Sequence, residues 1–181
     1  MIRSELNFGN YLGAAAVLNK TFHFRRKFSH FLRLPRFEKM WLFPVWGLLG
    51  LSRLTILSIQ FRRLAPYLGG HMGNCAVVPV LSPQQQRRAL QIGRVVRLAA
   101  RYTPWESNCF PQAVTARLLL GLYRIPYALF FGVYKDEENF HELKAHAWVA
   151  AGPVRVTGGD GFWQFAVVGV FVSHGLFAVN D

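Results

Sequence analysis

The amino-acid sequence predicts an α+β fold, because two helical segments precede a series of strand-like segments. The first helix begins where Ser82 and Gln85 can form a capping box, and apolar residues then recur at helical spacing. The second helix begins at residue 107 or 108 and continues to about Tyr123, before Pro126 stops it. Two helices followed by an antiparallel sheet are an α+β arrangement.

After Pro126 the sequence changes to the two-residue period of β-strands. The strand segments are predicted at Tyr127–Tyr134, Lys144–Ala150, Val154–Thr157 and Phe165–Val172. Gly152 and Pro153 form a turn between the second and third strands, and Gly158–Gly161 forms a loop between the third and fourth. A small antiparallel sheet is therefore expected.

The region before these elements is helical and apolar. A helix is predicted from Glu38 to about Leu68, and within it Trp41–Gln60 is almost long enough to span a bilayer. Arg53 opposes insertion by about 3 kcal/mol, which largely cancels the gain from the apolar residues. Positive residues also flank the segment on both sides, so nothing orients it across a membrane. We expect a buried helical hairpin, with a membrane span as the alternative.

Composition and charge limit the class of protein further. The 181 residues are 52% hydrophobic and 17% charged, which excludes a disordered chain. The net charge of +12 indicates an anionic partner such as nucleic acid, an acidic peptide or a lipid surface. Of the 21 Lys and Arg residues, 11 lie in residues 1–70, beside only Glu5 and Glu38. The sequence thus divides into a basic arm (1–37), a helical apolar region (38–80) and a further domain (81–181).

The sequence has two cysteines, Cys75 and Cys109. They cannot form a disulfide framework and, with no secretory signal recognised, they favour a cytoplasmic location. Cys109 lies in the first turn of the second predicted helix, where unpaired amides and the helix dipole favour a thiolate. This is a position for a nucleophile, although a free cysteine there can also be a buried structural residue. Cys75, in a glycine-rich loop without a charged neighbour, favours the structural interpretation.

His146 and Asp160 are the other candidate catalytic residues. His146 lies on the predicted strand Lys144–Ala150, on the same face as Trp148, where it is either a general base or a packed core residue. Asp160 is the nearest acidic residue downstream and can orient the imidazole, or it can satisfy backbone amides of its own glycine-rich turn. Metal-ligand spacings, a phosphate loop and a dinucleotide motif are not found, so no cofactor is expected.

Several short motifs follow one another in a characteristic order along the chain. They are Asn108-Cys109-Phe110, Leu118–Leu120, Arg124–Ala128, Phe131-Gly132-Val133 and Ala145–Val149. In these motifs, over roughly residues 85–160, the chain resembles the B proteins of lasso-peptide biosynthesis, which are transglutaminase-like leader peptidases. The resemblance implies a transglutaminase-like or papain-like core over residues 81–181, with the catalytic cysteine at a helix start packed on a small antiparallel sheet.

The resemblance also implies roles for individual residues. Cys109 would be the nucleophile and His146 the base. The family usually has an aspartate near the end of the strand that follows the histidine strand, and an ungapped count reaches Gly158 in this sequence. Asp160 would fill the third position if the turn at residues 152–153, or the loop itself, takes up the extra residues.

The function implied by the resemblance is proteolytic. The enzyme would remove the leader from a ribosomally made precursor peptide, so that an ATP-dependent, asparagine-synthetase-like cyclase can close the macrolactam. The expected partners are the precursor and the cyclase. Leader recognition is expected from a separate protein or from the basic arm. The composition also allows a peripheral membrane contact, and nucleic acid is not expected. The alternatives are a catalytically weak adaptor that presents the precursor to the cyclase, and a basic binder of nucleic acid or lipid.

Overall fold

The computed structural model describes residues 34–75, 77–135, 143–159 and 161–174. The chain divides into two units between Lys39 and Met40. Nearly all of the basic arm (1–37) lies outside the described residues. The helices are α1 (Arg36–Ser58), α2 (Phe61–Leu68), α3 (Pro83–Ala100) and α4 (Cys109–Leu122). The strands are β1 (Gly70–His71), β2 (Ala128–Lys135), β3 (Leu143–Ala151), β4 (Val154–Thr157) and β5 (Ala166–Val172).

The strands form one antiparallel sheet in the order β1-β5-β2-β3-β4. β2 lies at the centre, where Gly132 pairs with His146 of β3. One sheet face carries a core cluster of Ala128, Phe130, Trp148, Val170 and Val172. The α+β fold and the four predicted strands are confirmed, whereas the two-residue strand β1 was not predicted.

Helix α3 confirms the predicted capping box. The Ser82 side chain accepts from the Gln85 amide at 3.3 Å, and the Gln85 side chain accepts from the Ser82 amide at 2.9 Å. The apolar side of α3 lies against β4 and α4. Gly93 permits this close approach, because a Cβ there would come within 2.5 Å of the Val156 carbonyl oxygen. The helix and the strand can therefore pack backbone to backbone at this point.

The prediction of a buried helical hairpin within Trp41–Gln60 is wrong. The chain continues as the single helix α1 through Pro44 to Ser58, and only one side of that helix is buried. The side chains of Leu51, Leu54 and Leu57 are 59%, 63% and 70% exposed. Because apolar residues occupy every side of this helix, hydropathy alone could not distinguish its buried side from its exposed side.

By length and composition α1 could cross a membrane. Its polar groups nevertheless bond to the rest of the domain. The Trp41 indole N–H donates to the Tyr123 hydroxyl at 2.8 Å, and the buried Ser52 and Thr115 hydroxyls lie 3.2 Å apart. Both contacts join α1 to α4 or to the residue that follows it, so in this structure α1 is a helix attached along one side of the domain.

Tyr127 connects the region before α3 to the sheet. Its buried hydroxyl donates to the Leu68 carbonyl oxygen at 2.9 Å and accepts from the Arg117 guanidinium at 3.0 Å. Burial raises the pKa of Tyr127 above its usual value, against the opposing effect of Arg117. The phenol therefore remains a donor to Leu68 at neutral pH.

Candidate active site

Helix α4 begins at Cys109. Asn108 precedes it in an extended conformation, and the Asn108 side chain makes no capping hydrogen bond. A helix start leaves its first amides without intrahelical partners, and Pro111 in this first turn has no N–H to satisfy. The half-buried Cys109 thiol therefore lies at a helix start whose amides can still receive an anion.

The loop before Cys109 is held by its own side chains. The Thr103 hydroxyl lies 3.0 Å from the Ala100 carbonyl oxygen, 2.9 Å from that of Trp105 and 2.9 Å from the Ser107 hydroxyl. The Gln112 side-chain amide donates to the Ser107 carbonyl oxygen at 2.7 Å. These bonds fix the backbone that leads into the helix of Cys109.

Helix α1 braces the same loop from outside. The Trp46 and Trp105 rings lie 4.7 Å apart, and the Trp46 indole donates to the Tyr102 carbonyl oxygen at 3.2 Å. Arg53 donates to the Glu106 carbonyl oxygen and lies 3.7 Å from the Glu106 carboxylate. The arginine that opposes membrane insertion thus holds the loop before Cys109.

Aromatic packing fixes the start of α4 to the sheet. The Phe110 ring lies 5.2 Å from that of Phe131 on β2, edge to face. Phe61 of α2 lies 6.1 Å from Phe110 and 5.3 Å from Phe131. Phe171 of β5 lies 5.7 Å from Phe131. Each such pair adds specificity of position as well as buried apolar area, so Phe110, the residue next to Cys109, is anchored on α2 and β2, and Phe171 of β5 supports those rings in turn.

His146 lies where the edge of β3 is open. β4 pairs with β3 only as far as Val149, opposite Thr157, and His146 is three residues beyond that point. The imidazole packs 4.9 Å from the Phe165 ring and 5.8 Å from the Trp148 ring. Gly132, the partner of His146 on β2, leaves room for these rings, because a Cβ there would lie 2.7 Å from the Phe165 Cβ.

The Gly158 carbonyl oxygen lies 2.8 Å from Nε2 of His146. A carbonyl oxygen can only accept, so Nε2 carries the hydrogen and Nδ1 of the neutral ring is the basic nitrogen. Gly158 has a φ of +100°, and a Cβ there would lie 2.1 Å from the Trp148 Cβ. A side chain does not fit at this position. The backbone of Gly158 therefore occupies the place at which the ungapped family count puts an aspartate; Asp160 itself lies outside the described residues.

Cys109 and His146 line the same cavity, which has a volume of about 420 Å³. The cavity lies between the end of α3, the start of α4 and the residues after β4. Its other lining residues are Arg97, Ala100, Arg101, Ser107, Gln112, Gly158 and Gly159. Cys75 is exposed and does not line it, so the sequence-based interpretation of Cys75 as a buried structural cysteine is wrong.

Two arginines of this cavity were not predicted to be functional. Neither Arg97 nor Arg101 was among the candidate site residues predicted from the sequence. The available signal was their spacing, since residues four apart lie on the same side of a helix. Within the described ranges, histidine, cysteine and acidic residues form no group of three that could hold a metal ion.

A helix that starts at a cysteine and an antiparallel sheet that brings a histidine to the same cavity define a site of the cysteine–histidine type. A scan against protein families matches the transglutaminase-like superfamily over residues 55–170. The chain belongs to this superfamily, which consists generally of cysteine-dependent enzymes and includes cysteine proteases. Searches of curated proteins and of solved structures return no match.

Proposed function

We propose that the protein is a cysteine peptidase that removes the leader from a lasso-peptide precursor, so that a partner ATP-dependent cyclase can form the macrolactam. The observation that carries the proposal is the common cavity of Cys109 and His146, in which Nδ1 is the basic nitrogen of the imidazole. The order of motifs along residues 85–160 resembles that of leader peptidases, and this resemblance supports leader removal as the specific reaction.

In the proposed reaction, His146 Nδ1 accepts the thiol proton and the Cys109 sulfur attacks the carbonyl carbon of the last leader residue. The backbone amides of Cys109 and Phe110 stabilise the oxyanion, since no side chain caps this helix start. The imidazolium then protonates the leaving amine, which releases the core. Water, deprotonated by the same nitrogen, hydrolyses the thioester and regenerates the thiol.

The Gly158 carbonyl has a positioning role in this reaction. It fixes the ring orientation and the tautomer, as a carboxylate does in related triads. Because a carbonyl is neutral, it stabilises the imidazolium less than an ionised aspartate would. The backbone amides at the start of α4 add electrostatic stabilisation of the oxyanion.

We also propose the partners of the reaction. Basic residues within 1–70 contact the leader or the cyclase. Where the basic arm is insufficient, a separate leader-recognition protein binds the leader. The reaction takes place in the cytoplasm. A peripheral contact with an anionic lipid surface involves the exposed Leu51, Leu54 and Leu57 on α1, beside the exposed Arg62 and Arg63.

The test is leader release in a purified system. The protein is mixed with a precursor encoded beside its gene, and products are followed by mass spectrometry with and without the cyclase. Cys109→Ala should abolish release, whereas Cys75→Ala should leave it unchanged. Release by the Cys109 variant at the wild-type rate would end the protease proposal. Undiminished support of the cyclase by Cys109→Ala on the intact precursor would instead favour the adaptor.

A further inference from the structure

Arg97 and Arg101 place two positive charges beside the candidate nucleophile. They lie one turn apart at the end of α3, and both line the cavity of Cys109 and His146. Within the described residues no acidic side chain is found in an ion pair with either arginine, whereas Arg53 pairs with Glu106. The cavity therefore has a cationic wall without a carboxylate from the described part of the protein.

The ordinary explanation of such residues is a solvated helix end, where cations interact favourably with the dipole. Arg97 does not fit this explanation. Its Nη1 turns toward the sheet and donates to the Val156 carbonyl oxygen at 2.6 Å, rather than to a carbonyl at the end of α3. Gly93 makes this reach possible, since a Cβ there would lie 3.1 Å from Arg97 Nη1. The guanidinium is thus fixed at the cavity wall even though part of its side chain remains open to solvent.

The charges around Arg97 are also unfavourable to one another. Partial burial, followed by the nearby charges of Arg101 and Arg94, lowers the pKa of the Arg97 guanidinium from its usual value. Arginine nevertheless remains charged at neutral pH. Two like charges held at one wall repel each other, and an anion that enters between them relieves that repulsion and gains charge-assisted hydrogen bonds.

We propose that Arg97 and Arg101 form a subsite for a carboxylate of the peptide substrate, next to the bond that Cys109 attacks. This inference rests on the proposed function for the identity of the substrate, but the subsite itself does not depend on lasso chemistry. The carboxylate is supplied by an acidic side chain near the cleavage point or by the free end of a peptide. Arg97 is the member of the pair that is held by a hydrogen bond, to the Val156 carbonyl oxygen, whereas no bonding partner of the exposed Arg101 side chain is found among the described residues.

Alkylation of Cys109 tests the subsite without a precursor. In a Cys75→Ala background, the rates with iodoacetate and with iodoacetamide are compared at one pH. In both reactions the thiolate sulfur displaces iodide from the methylene carbon, so their ratio cancels differences in thiol ionisation and accessibility. The ratio of the iodoacetate rate to the iodoacetamide rate should exceed that of a free thiol and should decrease with salt. It should fall about threefold in Arg101→Gln and about tenfold when Arg97→Gln is added.

Two variants control the measurement. Arg87→Gln removes an exposed charge from the same helix far from the cavity and should leave the ratio unchanged. Arg101→Lys keeps the charge and should restore most of the ratio. Because Arg101 is exposed, its loss does not threaten folding, so the result does not depend on the double variant. A ratio unaffected by Arg101→Gln, or reduced equally by Arg87→Gln, would overturn the subsite.

Cleavage of precursor peptides then identifies the source of the carboxylate. Acidic residues near the junction are replaced one at a time by their amides, and separately the peptide end is amidated. One of these changes should lower kcat/KM about tenfold in the wild type and have little effect in Arg101→Gln, as expected for a shared interaction. If neither change matters in the wild type, the subsite does not serve this substrate. If no precursor is cleaved, the proposed function fails, while the alkylation ratio still decides the subsite.

Discussion

Gly158→Ala tests whether the backbone carbonyl that holds His146 is required for activity. The residue has a φ of +100°, so any side chain there costs about 1–2 kcal/mol in backbone strain. The new Cβ would also lie 2.1 Å from the Trp148 Cβ and 2.9 Å from its Cα, neither of which is the end of a flexible side chain. Such overpacking costs about 1–3 kcal/mol, so we expect a total loss of about 2–5 kcal/mol in the free energy of unfolding.

The effect on activity should exceed what this destabilisation explains. To relieve the clash, the backbone at residue 158 must move, and the carbonyl oxygen moves away from Nε2, now 2.8 Å distant. A displacement of about 1 Å in a catalytic group can cost about a hundredfold in rate. We therefore expect single-turnover leader cleavage to fall about a hundredfold at a temperature where the variant is fully folded.

Gly159→Ala is the matched control. Gly159 also has a positive φ, of +65°, but a Cβ there would meet nothing within 4 Å. It should lower Tm by about 2–4 °C, corresponding to about 1 kcal/mol, and, although Gly159 lines the cavity, lower the cleavage rate far less than Gly158→Ala does. The ring nitrogen shifts of His146, measured by NMR, report the tautomer directly. A normal rate and an unchanged tautomer in folded Gly158→Ala would refute the positioning role of the carbonyl.

Three further predictions concern other parts of the molecule. Asp160→Asn should lose less activity than Gly158→Ala, because the Nε2 hydrogen is already donated to Gly158; a larger loss in single-turnover cleavage would assign the orienting role to the carboxylate. Trp46→Ala should lower cleavage about tenfold and Tm by several degrees, because it removes the ring against the loop before Cys109, whereas unchanged kinetics would leave α1 a purely structural helix. Leu54→Ser should weaken sedimentation with anionic vesicles but not with neutral ones; equal sedimentation of wild type and variant would remove α1 from the lipid contact.

The sequence predicts the local elements well, because their signals are local. The Ser82–Gln85 capping box marks the start of α3, and the two-residue period marks β2 and β3. β1 escapes prediction because its two residues are selected by pairing with β5 rather than by a pattern of their own. The exposed side of α1 could not be predicted, because apolar residues lie on every side of that helix.

The site is predictable only where a side chain carries the chemistry. Cys109 and His146 can be proposed from residue type and position, and the structure brings them to one cavity. The carbonyl of Gly158 has no counterpart in the sequence, since every residue has one. Arg97 is defined by a bond to Val156, which lies 59 residues away and can be recognised only after folding.

The contacts of α1 and Leu68 determine how small an active fragment of this protein can be. A fragment that begins at residue 81 keeps every family motif, Cys109 and His146. It loses Trp46 and Arg53, which hold the loop before Cys109, and the Leu68 carbonyl that accepts from the buried Tyr127 hydroxyl. A fragment reduced to the family motifs would therefore expose the Trp105 ring and leave the Tyr127 hydroxyl without its acceptor. The smallest autonomous enzyme should begin at α1, well before the first residue that takes part in the chemistry.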